Sequence, residues 1–233
     1  MASRNTENDF KKSLSYGFSE GGHNYQISYS SNAAKNSSPV IYFTVRGDWY
    51  VLKQFEDQRD RGVEVFRDSS FFPQRGVFIY ALGLKSQLPL FKNYLSGHLT
   101  DRAYHLQTVY PGSLLSPGLS GFVKNCCLNF HSSCIYQTRN TTGLTSVCLI
   151  SPTVKEETTG FLIYPSGRVV YGSPLYEGGI EESQVQEVLD VLRGEELSDL
   201  DSLTLDQILE NKKKLRGWEL YHIDLLEREV RAF

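Results

Sequence analysis

Val40-Ile41-Tyr42-Phe43-Thr44-Val45-Arg46-Gly47-Asp48-Trp49-Tyr50-Val51-Leu52-Lys53-Gln54 is the stretch that decides the fold class. Two runs of β-branched and aromatic residues flank Arg46-Gly47-Asp48. Such residues suit a pleated surface, and a short link with a glycine between two of these runs is a hairpin turn. Arg-Gly-Asp is also an adhesive tripeptide, but the same three residues are what a tight turn uses, because glycine tolerates positive φ.

Similar signals recur on both sides. Tyr25–Tyr29 alternates strictly and predicts a strand, followed by a polar loop over Ser30–Pro39. Val63–Phe66 and Gly76–Leu82 are further strand candidates. Leu88–Leu99 predicts a helix with Pro89 in its first turn. Tyr104–Tyr110, Phe122–Phe130, Ser133–Thr138, Ser146–Ile150, Gly160–Tyr164 and Arg168–Tyr171 then read as short strands. Many short strands at this spacing predict an antiparallel β-rich body, sandwich or barrel-like.

Beyond Ser173 the pattern changes. Val185, Val188, Leu189 and Leu192 recur at helical spacing before Gly194. Thr204 followed by Gln207 predicts a capping box opening a second helix. A third helix is expected from Leu215 or Trp218 to the end, with Ile223, Leu226, Val230 and Phe233 in one stripe. The expected class is therefore α+β, a β-rich body followed by a helical C-terminal segment. The expected division is a polar lead-in over 1–22, the body over 23–176 and an acidic helical segment over 177–233.

The chain has 233 residues, a net charge of −3 and 12% aromatic content, values of an ordinary globular protein. Residues 177–233 hold 15 acidic and 7 basic side chains, and the remainder is correspondingly basic. The two parts either attract each other within one fold or leave an acidic helical surface for a partner. Cys126, Cys127, Cys134 and Cys148 are too few and too clustered for a secreted disulfide framework. No export signal or membrane-spanning run is read from the sequence, so the expected location is cytoplasmic or nuclear, with no membrane association.

Candidate chemistry is thin. Cys126, Cys127, His131 and Cys134 are zinc-type ligands, but they lack paired knuckles, and adjacent cysteines on a strand would point to opposite faces. Ser120 in Gly118-Leu119-Ser120-Gly121 would need a histidine and a carboxylate, such as His23 with Asp48 or Asp60, to act as a nucleophile. Cys126, Cys127, Cys134 or Cys148, with His131 as the nearby histidine of the stretch, is the thiol alternative, and it needs a neighbour that lowers the thiol pKa. His98-Leu99-Thr100 and His131-Ser132-Ser133 resemble a paired His-x-Thr/Ser arrangement, though the first falls at a helix end. His105 and His222 have no partner suggested by spacing. Phosphate-cradling, dinucleotide, His-Glu-x-x-His and EF-hand motifs are absent.

The expectation is a non-enzymatic interaction or assembly protein that uses its C-terminal helices to pack or to bind. Partner contacts are expected through Trp218, Tyr221, Leu225, Leu226, Val230 and Phe233. No cofactor is expected, and self-association or a protein partner is. Two alternatives are a small hydrolase with a Cys/His or Ser centre, and a nucleic-acid-binding protein using the basic body.

Overall fold

A computed structural model describes residues 38–54, 63–68, 77–83, 88–109, 118–136, 144–152, 158–194, 199–225, 227 and 229–233. The expected strand Tyr25–Tyr29, the 1–22 lead-in, His23 and Asp60 lie outside these residues.

The hairpin forms as read: β1 (Val40–Val45) and β2 (Asp48–Gln54) pair antiparallel, with Val45 opposite Asp48. Arg46 and Gly47 turn the chain at φ 53° and 85°. Next come β3 (Val63–Asp68) and β4 (Val77–Gly83), then α1 (Leu88–Val109) and α2 (Leu119–Tyr136). Strands β5 (Leu144–Pro152), β6 (Thr158–Ile163), β7 (Val169–Tyr171) and β8 (Leu175–Glu177) follow. The chain continues through α3 (Glu182–Arg193), a 3₁₀ turn (Leu200–Ser202) and α4 (Leu205–Lys212). It ends in β9 (Trp218–Asp224) and β10 (Glu229–Ala232).

Among the described residues the strands make two five-stranded antiparallel sheets, ordered β10-β9-β2-β1-β8 and β3-β4-β5-β6-β7. The class is α+β and β-rich, with helices interleaved among the strands. Three apolar clusters stack the parts into four layers. Val40, Tyr42, Trp49, Val51 and Ile223 of the first sheet meet Phe78, Tyr80, Cys148, Ile150 and Leu162 of the second. The odd-numbered residues of β1, Ile41, Phe43 and Val45, face the other way, onto Val185, Leu189 and Leu192 of α3 and Ile208 of α4. The other face of the second sheet, Val77, Ile79, Val147 and Leu149, packs on Phe91 and Leu95 of α1 and Val123 and Cys127 of α2.

Coverage on both faces explains why β1 and β4 read as unbroken apolar runs. A strand with one wet face alternates; a strand covered on both sides does not. All seven residues of β4 are buried. The sheets approach closely at Gly160, where an added Cβ would lie 2.3 Å from the Trp49 ring.

Three expectations are corrected. Phe122–Phe130 and the start of Ser133–Thr138 are not strands but part of α2. Leu119, Val123, Cys126, Cys127 and Phe130 are its buried positions, spaced at helical period against one sheet face. Tyr104–Tyr110 is likewise helical as far as Val109. The third expected helix is a β-hairpin, so the segment 177–233 is helical only in part. Gly217 at φ 80° starts β9, and the Asp224 carboxylate accepts the Glu227 N–H at 2.8 Å in the turn. The hairpin pairs with β2, Val51 opposite Tyr221, so the end of the chain completes the first sheet.

Candidate functional site

The Cys/His stretch lies on α2. Cys126, Cys127 and His131 are all buried, and the Cys127 and His131 positions are one helical turn apart. Burial pushes the Cys127 thiol well up, the opposite of what a nucleophile needs. Burial also lowers His131 to about 4, so its imidazole is neutral at ordinary pH, and its Nδ1 has no hydrogen-bond partner among the described residues. The side chain of Cys134 lies outside the described ones. Among the described residues, no three of His, Cys, Asp and Glu come close enough together to hold a metal ion.

Ser120 is half-buried in the first turn of α2, on the outer side of the second sheet. The carboxylate proposed for it, Asp48, is on β2 and instead lies 3.9 Å from His222 Nε2 on β9. His222, for which spacing suggested no partner, also lies against the Tyr50 ring, centroids 5.0 Å apart. Tyr50 belongs to the cluster under α3 and α4. Two sheets therefore separate this His–Asp pair from Ser120. His98 is exposed on α1 with its ring 4.4 Å from Tyr94, and Thr100 turns back to bond Ser96 O at 2.9 Å.

Arg46 of the Arg-Gly-Asp turn is engaged inside the molecule. Its N–H donates to Asp201 Oδ1 at 2.8 Å, and its guanidinium donates to the carbonyls of Asp201 and Ser202 at 3.2 and 3.1 Å. These bonds tie the hairpin tip to the 3₁₀ turn and its neighbouring helices.

The expected partner-binding residues fall on two faces of the first sheet rather than on one helical stripe. Trp218 packs partly buried beside the α3/α4 cluster, while Tyr221, Leu225 and Val230 pack partly buried on the inter-sheet core. Phe233 is 40% exposed, and Leu226 lies outside the described residues.

One group had no sequence signal. Glu177, on edge strand β8, is buried between the sheets, and Tyr42 Oη donates a hydrogen bond to its Oε1. Its Oε2 has no partner among the described residues. Burial raises the carboxyl to about 8, with the Tyr42 hydrogen bond acting the other way.

The outer surfaces of the two helical layers differ. Among the described side chains of α1 and α2, the exposed ones are Pro89, Leu90, Asn93, Ser96, His98, Thr100, Asp101, Asn125, Asn129 and Ser132, with Lys92 and Lys124 half-buried. Leu90 is 61% exposed. Gly97 sits within α1, and a Cβ there would meet nothing within 4 Å. The other layer exposes Glu181, Glu182, Glu187, Asp190, Asp199, Asp201, Asp206 and Glu210.

No protein-family model matches this chain, and comparison with curated proteins finds no match. Among the described residues, no helix is long and apolar enough to cross a membrane.

Proposed function

We propose that the chain is a non-enzymatic assembly protein, a subunit that associates with copies of itself. The observation that carries this reading is the outer face of α1 and α2. Its described side chains are poor in charge, as the centres of protein interfaces are, and it holds an exposed leucine. Glycine inside a helix costs about 1 kcal/mol relative to alanine. Packing among the described residues supplies no reason for Gly97, whereas close approach of a second chain would. The acidic layer would repel its own copy, and the nearly neutral layer would not.

The hydrolase alternative draws no support from Cys127, whose thiol burial pushes up, or from His131, whose Nδ1 has no hydrogen-bond partner among the described residues. The nucleic-acid alternative draws none from α1 and α2, whose described side chains include two lysines and no arginine.

Light scattering tests the proposal. The purified chain should have a mass that is a multiple of 26.5 kDa. Leu90→Glu combined with Gly97→Glu should reduce it to the monomer while leaving the sheet circular-dichroism signal in place. A wild-type chain that stays monomeric at every concentration would overturn the reading.

A further inference from the structure

Strand β8 is a short edge element held at three points. It pairs with β1 at three positions only: Val40 with Glu177, Ile41 with Tyr176 and Tyr42 with Leu175. At one end the Thr44 N–H donates to Ser173 Oγ at 2.9 Å. At the other, Gly178 has φ 89°, and its Cβ position lies 2.5 Å from Ser38 O, a contact only glycine permits. Between these ends Leu175 and Glu177 are buried, and the carboxyl points into an apolar inter-sheet core.

We propose that Glu177 makes β8 a proton-sensitive strap, closed on β1 while the carboxyl is neutral and released as the carboxyl ionises in the opened form. An ionised carboxylate with an unsatisfied oxygen is costly in an apolar interior, and opening to water removes that cost.

The surroundings leave Glu177 as the group that titrates. Facing it are Tyr42 of β1, Cys148 of β5 and Tyr164 after β6, with Tyr80 of β4 against the Tyr42 ring, while Tyr176 on its own strand turns to the opposite face, onto the α3/α4 cluster. Tyr42 and Cys148 are pushed well up, first by burial and then by Glu177 itself; Tyr164 is pushed up to about 12, again chiefly by burial. The guanidinium of Arg168 lies 5.7 Å from the Tyr164 ring centroid.

The direction follows from linkage. The closed form keeps the Glu177 proton up to about 8, whereas an exposed glutamate releases it above 4.5. Opening therefore releases a proton across that window, and rising pH favours the open strap by nearly tenfold per unit until it levels off.

Amide exchange followed by NMR tests this in the intact chain, with rates corrected for the intrinsic effect of pH. The amides shared by β8 and β1 should lose more than tenfold protection between pH 5 and pH 7, and should exchange faster than those of β4 and β5. Glu177→Gln should remove the pH dependence. Tyr42→Phe, which keeps the carboxyl but deletes its donor, should keep it and move the levelling-off to higher pH. The proposal is overturned if protection at β8 is independent of pH, if the dependence persists in Glu177→Gln, or if β8 exchanges no faster than β4 and β5.

Discussion

The two helical layers cover the sandwich in different ways. Helices α3 and α4 carry their own start and stop signals. The N–H of Glu181 bonds Gln184 Oε1 at 3.1 Å, and Thr204 and Gln207 bond each other's N–H groups at 2.9 and 3.3 Å. Glu182 and Asp206 lie in the first turns, and Arg193 and Lys212 in the last, where they complement the helix dipole. Helices α1 and α2 have no acidic residue in their first turns and no basic residue in their last. They are helices because their apolar faces fit the sheet. One layer is specified locally and the other by tertiary packing.

The largest test of that contrast removes the floor under α3 and α4. Deleting residues 215–233 takes β9 and β10, two of the five strands in their sheet. Loss of cooperative unfolding and aggregation on gel filtration are expected; a truncated chain that melts as the full one does would break the account. Phe91→Ala comes next. Phe91 is buried between α1, the second sheet and the Phe130 ring, 5.2 Å away. Truncation should cost about 3–5 kcal/mol in urea unfolding. Thr204→Ala removes a cap from the self-specified layer and should cost only about 1 kcal/mol. If the cap substitution cost more than the core one, the assignment of local and tertiary control would have to be reversed.

The same contrast explains what was legible in the sequence. The Val40–Gln54 hairpin, the α3 periodicity and the Thr204–Gln207 box are local signals, and each is found where it was read. Phe122–Phe130 misleads because phenylalanine and cysteine suit strands, while its decisive feature, spacing against a sheet face, depends on a distant partner. The C-terminal hairpin misleads differently. Ile223 and Val230 pair across the two strands, yet their separation in sequence matches two helical turns. Asp224 at the turn and Gly217 before the strand were the available cues. The buried state of Glu177 was not readable at all, because it is created by the register of β8 on β1.

Hydroxyl-radical footprinting at low and high protein concentration tests the central claim most directly, since leucine, histidine and valine side chains on both layers report at once. On assembly, oxidation of Leu90 and His98 on α1 should fall, while that of Val191 and Leu205 on the acidic layer should stay constant. Protection of Val191 and Leu205 with Leu90 unchanged would contradict the account.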